Sequence, residues 1–348
     1  MPDILTHLIM GESVHEYLHE IGREGESLAQ FSFTTIADNH EIFLFGTQGP
    51  DVFYYHNFWP WLRRNSLSKL GNRLHVEKTG VFFTEGFKKL KATNTCDEDY
   101  GAIFTYLCGC LCHFALDKNA HPYIYRLTGY SFEKGEEKGY NSYAHQKLEA
   151  LIDCLLMKKF RNREACYEPI HLSLKINRKF PGSLDRFYRE MIQKLFDWEL
   201  KENSLRKAFR DMTLGVRLIF DPDHHKKKLF AALAKMRGKE IRLPRPLYPC
   251  SPELDEDYLN ERKTPWSHPL DEEEEFVSSF LDIFQESKME ACAYILKAAA
   301  FLKGELESIE EVFKDYSYLT NKEWGTEAAG KKAEGEGILA GLESIFRY

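Results

Sequence analysis

Apolar side chains recur at near-helical spacing along most of this chain. Ile4, Leu8, Ile9, Val14, Leu18 and Ile21 line one face of a helix predicted over 4–22. Residues 79–93 (TGVFFTEGFKKLKAT) predict a second helix with an aromatic face. The strongest helical pattern covers 97–117 and ends at a turn around 118–122, where Pro122 stands. A long helix is predicted over 141–160, and further helical stretches over 184–217, 223–236, 272–303 and 304–316. Irregular segments separate them. These are 43–60, broken by Gly46, Gly49 and Pro50; the Gly-rich 126–140; and a Pro-rich connection over 241–269, pinned by the element Trp266–Pro269. Strand signals are sparse, so the expected fold class is all-α, a multi-helix bundle with an additional helical C-terminal region. Residues 325–337 read as a flexible linker leading to a short amphipathic tail, ILAGLESIF.

Composition changes this picture mainly by exclusion. With 348 residues, 43% hydrophobic and 29% charged, the chain suits a globular protein with a sizeable core. A net charge of −7 argues against a nonspecific grip on nucleic acid, and no nucleic-acid partner is expected. It does not exclude a small phosphorylated substrate, because bound cations dominate the field inside a site. The first twenty residues lack a basic segment followed by an apolar run, and no stretch of about 18 apolar residues occurs. Neither a secretory signal nor a transmembrane helix is therefore expected. The expected address is the cytoplasm, with peripheral membrane contact still open. Of eight Cys, three crowd into positions 108, 110 and 112, a poor geometry for a disulfide framework. Reduced, buried thiols are the expected state.

The informative chemistry is a set of His and carboxylate pairs at helical spacing. His113 and Asp117 stand four apart in an otherwise apolar helix, so both side chains reach one metal ion from one face. His121 follows four residues later, and His145 with Glu149 repeats the i, i+4 arrangement. Imidazole nitrogen with carboxylate oxygen is a ligand set that Zn²⁺ accepts; iron or manganese is the alternative occupant. A single such pair is ordinarily a helix face and nothing more. Burying Asp117 beside Phe114, Ala115 and Leu116 without a cation would be costly, which turns the combined pattern toward metal.

The string GCLCHFALDKNAHPYIY, followed by HQKLE, resembles the His-x-x-x-Asp, His, His-x-x-x-Glu core of the bacterial zinc-dependent phospholipases C. The nucleases of the S1/P1 type share that core, on an all-α fold holding three zinc ions. In the same resemblance, Asp51 of GPDVFYY, His75 of LHVEKTGVFF and His7 of THLIMGE take positions of further ligands. What the resemblance implies is two to three zinc ions. His75, His113, Asp51 and Asp117 would hold the first, and His121, His145 and Glu149 the second. His7 and Asp117 would help hold the third, with Asp117 bridging. Secreted members complete that third site with an α-amino group. Here either a terminus trimmed to Pro2 or Asp3, one turn before His7, would replace it.

On this reading residues 1–160 form a metal-binding catalytic helical core, 161–324 a helical region packed on it, and 325–348 the linker and tail. The implied activity is metal-assisted hydrolysis of a phosphodiester in a phospholipid or its head-group fragments, with Asp51 orienting or deprotonating the attacking water. Phe53, Tyr54 and Tyr55 are either a wall for the substrate head group or core. Two competing readings stand beside it: a nuclease-type phosphodiesterase on the same metal core, and a metal-stabilised binding module without turnover. Among the other histidines, His15 and His19 share a solvated helix face. His40, His56, His171 and His268 have no partner at ligand spacing.

Overall fold

The computed structural model describes residues 3–59, 62, 67–93, 98–129, 142–176, 180–237, 248–249 and 256–323. The linker and tail at 325–348 lie outside the described residues, as do 130–140 of the Gly-rich loop, much of the 241–269 connection, and Pro2. The helices run α1 Ile4–Arg23, α2 Ser27–Asp38, α3 His40–Gly46, α4 Val52–Tyr55, α5 Ser68–Val76, α6 Thr79–Lys91, α7 Glu98–Thr128 and α8 Ser142–Leu156. They continue with α9 Ile170–Ser173, α10 Gly182–Phe196, α11 Ser204–Ile219 and α12 His225–Arg237. A hairpin of β1 Trp266–His268 and β2 Asp271–Phe276 then precedes α13 Phe280–Lys303. The all-α class holds.

Helix α7 is the axis of the molecule, packed by α13, α3 and α1 and flanked by α6, α8 and α10. Apolar residues surround it on every side, which is the signature of a helix buried all round. Its length and composition would suffice to cross a bilayer, against the expectation of no such segment. Yet 89% of its most apolar window is buried inside the protein. It also overrides the turn predicted at 118–122 and carries Pro122 in its interior. The cost of an internal proline, about 3 kcal/mol, is offset here because His121, Tyr123, Ile124 and Tyr125 are all buried along the continued helix. The continuation matters for chemistry, since it puts His113, Asp117 and His121 one turn apart on one helix face.

Helix α3 approaches α7 at two glycines. A Cβ on Gly109 would lie 2.4 Å from the Phe43 carbonyl oxygen, and one on Gly46 would lie 2.5 Å from that of Tyr106. Backbone therefore meets backbone, and the turn after α3, a short 3-10 segment Gly49–Asp51, lands against α7. The sequence pattern reads 43–60 as irregular. It contains the end of α3 and all of α4, too short to show a period. Helices α2 and α5 were likewise unpredicted.

The C-terminal half departs further from the periodicity. The predicted helix over 184–217 is two helices, α10 and α11, and that over 272–303 begins only at Phe280. Ser279 caps α13 in a capping box with Asp282. The Glu-rich 271–276 is a strand because Trp266 stacks on Phe276 across the hairpin, with ring centroids 4.5 Å apart. Residues 304–316 form no helix, since Gly304 at φ +81 terminates α13 in a left-handed cap. Cys108, Cys110, Cys112, Cys154 and Cys292 are free, buried thiols. Cys166 is disulfide-bonded, a correction to the expectation of reduced thiols that spacing alone carries no signal for.

Candidate metal centre

Five separate segments bring eight side chains together. Helix α7 supplies His113, Asp117 and His121; α1 supplies His7; the turn before α4 supplies Asp51; α5 supplies His75; and α8 supplies His145 and Glu149. All eight are buried, with His75, His113 and Asp117 wholly inaccessible. Their donor atoms form three groups, each with its atoms within 4.8 Å of one another. They are His7–His113–Asp117, Asp51–His75–His113, and His121–His145–Glu149. The first two share His113, so they make one continuous cluster. The resemblance had paired His7 with Asp117 alone; His113 stands with them, its ring stacked on that of His7 at 4.1 Å.

Hydrogen bonding on the far side of each ring decides what faces the cluster. His113 Nδ1 donates to the Thr47 carbonyl at 3.0 Å, and His121 Nδ1 to the Asp117 carbonyl at 3.0 Å. His75 Nδ1 donates to the Gly71 carbonyl at 2.7 Å. A carbonyl accepts only, so each Nδ1 carries the proton, and each neutral ring presents an Nε2 lone pair. Two acceptors then meet head on. His75 Nε2 lies 3.1 Å from Asp51 Oδ1, and His113 Nε2 lies 3.3 Å from Asp117 Oδ2. His7 Nε2 lies 3.2 Å from Asp117 Oδ1. Neither oxygen of Asp117, nor Nε2 of His7 or His113, makes a hydrogen bond. Lone pairs facing one another at these distances require a cation between them, either a proton or a metal. The donor set is one that zinc accepts, and the orphaned atoms fit it.

Electrostatics separates the two parts of the centre. Burial opposes charge on Asp117, yet His113 and His121 hold its carboxyl well below the usual range. Burial likewise opposes charge on Asp51, which His75 and His113 outweigh. His113 is pulled upward because Asp117 and Asp51 outweigh its burial, whereas burial and His113 pull His7 downward. In the third group, burial pushes His121 down to about 3, and burial with His121 holds His145 well below its usual value. His145 Nε2 stands 2.8 Å from Glu149 Oε1. Neutral imidazoles are what a divalent ion requires.

The frame around the donors was not visible in the sequence. Gly49 sits at φ +48, and a Cβ there would lie 2.4 Å from the His113 ring, so this glycine makes the room that His113 fills. Asp153, one turn beyond Glu149 on α8, accepts from the Leu5 and Thr6 amides, both at 2.9 Å, and thereby ties the start of α1 to α8. Tyr248 adds its hydroxyl to Asp153 at 2.7 Å. Burial, with Asp3 nearby, pushes the Asp153 carboxyl up to about 7. Tyr318 arrives from the far end of the chain. Its ring lies 5.2 Å from that of His75 and 5.7 Å from that of His113, and its amide donates to the His75 carbonyl at 2.8 Å. Asp315 accepts from the Gly80 and Val81 amides, and His268 donates to the Thr320 carbonyl, so both ends of this strap are fastened. These residues act through backbone groups or from beyond position 300, where spacing gives no clue.

The weaker candidates divide. Phe53 is buried against Tyr188, and Tyr55 is buried. Tyr54 is half-buried and stacks on His75, its hydroxyl 3.2 Å from Nδ1. Asp3 caps α1, its carboxylate accepting from the Ile4 amide at 2.8 Å, and it stands outside the three donor groups found among the described residues. His15 and His19 stack on Phe33 instead of facing solvent freely. A family model described as zinc dependent phospholipase C matches residues 6–204, a span containing every donor from His7 to Glu149. No curated relative and no solved structure matches the chain significantly.

Proposed function

The chain belongs to the zinc-dependent phospholipase C family, and on that premise we propose that it is a zinc-dependent phosphodiester hydrolase acting on a phospholipid or a related head-group phosphoester. The observation that carries this reading is the head-on approach of His75 to Asp51 and of His113 to Asp117, with lone pairs on both sides, and with His7 against the other Asp117 oxygen. We assign two to three ions to the three donor groups. His113, with Nδ1 bonded to Thr47, has one free nitrogen for one ion, so each group offers at most three protein donors and keeps a position for water or substrate, unlike a closed structural site.

Zinc bound there supplies a water of lowered pKa and an electrophile for the phosphoryl oxygens. The rest is the work of the chain. Thr47 and Gly71 hold the His113 and His75 rings in the tautomer that faces the cluster. Asp51 stays ionised because His75 and His113 outweigh its burial. Its Oδ1 faces His75, and Oδ2 is the atom that would orient the attacking water and take its proton. Asp117 spans His7 and His113 and so fixes the spacing between α1 and α7 at the reacting centre. Tyr54, the half-buried ring of the Phe53–Tyr55 run, is the one this reading gives to a head group.

Elemental mass spectrometry of the purified native chain tests the metal, and a panel of phospholipid and nucleotide diesters then tests the reaction. About two to three zinc per chain, with turnover on a phospholipid head-group diester, is the expected result. A chain that neither retains nor takes up metal would sink the proposal. Turnover confined to nucleotide diesters would replace the lipid substrate with the nuclease reading.

A further inference from the structure

Helix α11 packs one side against α4 and α9 and turns the other to solvent. Its exposed residues are Arg206, Arg210, Leu214, Arg217 and Leu218. They recur every three or four positions and so form one stripe, with guanidinium groups alternating with leucines that are 38% and 45% exposed. Helix α12 extends the stripe with exposed Lys228, Leu229, Lys235 and Met236, the methionine 77% exposed. The two helices are joined where Lys226 donates to the Leu218 and Phe220 carbonyls at 2.8 and 2.7 Å. Residues 204–237 hold nine Lys and Arg against three Asp, in a chain whose net charge is −7. Two of the three acids already have partners: Asp211 is buried, accepts from the Asn57 amide and pairs with Lys207 and, at 3.7 Å, with Arg210, and Asp221 accepts from the Lys226 amide. Asp223 is the exposed one.

Through α4, helix α11 is linked to the donor segments. Helix α4, on which α11 packs, is the segment that follows Asp51. We propose that the α11–α12 face is a docking surface for an anionic phospholipid bilayer. Charge complementarity favours an anionic partner. Large apolar side chains interleaved with the basic ones favour a lipid interface, into which leucine and methionine insert while arginine and lysine meet head groups. Single-stranded nucleic acid would call for exposed aromatic platforms, and the described exposed residues of α11 and α12 include no Phe, Tyr or Trp. The choice of lipid over other anions rests on the phosphodiesterase reading above.

The test is flotation of the full chain with phosphatidylcholine vesicles, with and without phosphatidylserine, alongside the triple variant Arg206→Gln, Arg210→Gln, Arg217→Gln. Lipid cleavage is read separately in the same samples. The chain should float with phosphatidylserine vesicles and be released by high salt. The triple variant should lose roughly fivefold in binding per arginine, with unchanged zinc content and unchanged turnover of a soluble short-chain diester. A Leu214→Ser, Leu218→Ser variant should weaken binding while keeping its salt dependence. Binding that follows these residues without any lipid cleavage supports the docking surface and counts against the phosphodiesterase reading alone. Three results would overturn the proposal: equal flotation of the triple variant, tighter retention on single-stranded DNA than on vesicles, or a dimer that the triple variant dissolves.

Discussion

The two ends of the donor face on α7 solve the problem of buried charge differently. Around Asp117 two carboxylates and three imidazoles share one inaccessible volume, every member facing a neighbour of its own kind or a bare lone pair. One turn further on, His121 meets His145 and Glu149, a set with a single carboxylate and two imidazoles that burial keeps neutral. The first arrangement makes no sense as an apolar core and is stable only with a cation inside it. The second is close to an ordinary buried polar cluster. Charge density, more than the number of donors, thus separates a centre that demands a cation from one that accepts it.

Asp117→Asn breaks the comparison most severely. The amide offers one acceptor and one donor where both oxygens now face imidazoles, so the shared cluster should lose its metal and turnover should fall about a thousandfold. His145→Ala should instead remove about one metal equivalent and leave the Asp117 cluster loaded. Metal analysis of both variants, read with activity, distinguishes them. Equal metal loss in the two would show one indivisible site. Full activity of a metal-free Asp117→Asn protein would sink the mechanism outright.

Gly49→Ala sharpens the same contrast without touching a donor. The added methyl would sit 2.4 Å from the His113 ring on a backbone at φ +48, costing about 1–3 kcal/mol in strain. His113 must move, so metal affinity at the shared cluster should fall roughly 10–100-fold while the third group binds normally. Thermal unfolding and stepwise zinc titration check the two parts. Affinity losses of the same size in all three groups would mean a general fold defect.

How much of this was legible in the sequence depends on whether a residue acts through its own side chain or through somebody's backbone. His113, Asp117, His145 and Glu149 announced themselves because i, i+4 spacing on a helix is geometry written into the chain. Pro122 hid the continuation of α7, so His121 was placed in a turn although it belongs to the same face. Asp51, His75 and His7 could be found by resemblance alone, since no local period connects positions 7, 51 and 75. Thr47 and Gly71 contribute a carbonyl that any residue possesses, and Gly49 contributes the absence of a side chain. Such roles leave no trace in composition. The hairpin at 266–276 was misread for the opposite reason: its glutamates favour helix locally, and the Trp266–Phe276 contact that overrides them is tertiary.

Acidification offers a milder way to separate the two ends. Imidazole must be neutral to bind a divalent ion. Asp117 and Asp51 raise His113 above its ordinary value, so protons compete for the shared cluster from the higher side. His121, pushed down to about 3, and His145, held well below its usual value, resist protonation. Metal should therefore leave the shared cluster first as pH falls, before it leaves the third group. The third group should hold its metal until carboxylates protonate, nearer about pH 4. Zinc release measured against pH should show two separated steps, and neutralisation should reverse them in reverse order. A single step would mean that the two ends are one coupled unit.

The smallest effect expected is at Tyr318, and it bears on why the far end of the chain reaches the metal helix at all. Its ring packs edge-on to His75 and close to His113 and Phe114, so it restricts the tilt of both imidazoles without ligating anything. The strap that carries it is fastened elsewhere, by Asp315 at the start of α6 and by His268 at Thr320. Truncating the ring should therefore spare the strap. Tyr318→Leu should keep zinc stoichiometry and KM, and lower kcat by roughly tenfold through looser donor geometry. Tyr318→Phe, which keeps the ring, should restore kcat. If Tyr318→Phe is as impaired as Tyr318→Leu, the hydroxyl is the working part and Tyr318 belongs with the reacting groups. If neither variant changes kcat, the strap is a structural closure, and the Asp117 cluster is held in place by α1, α5 and α7 alone.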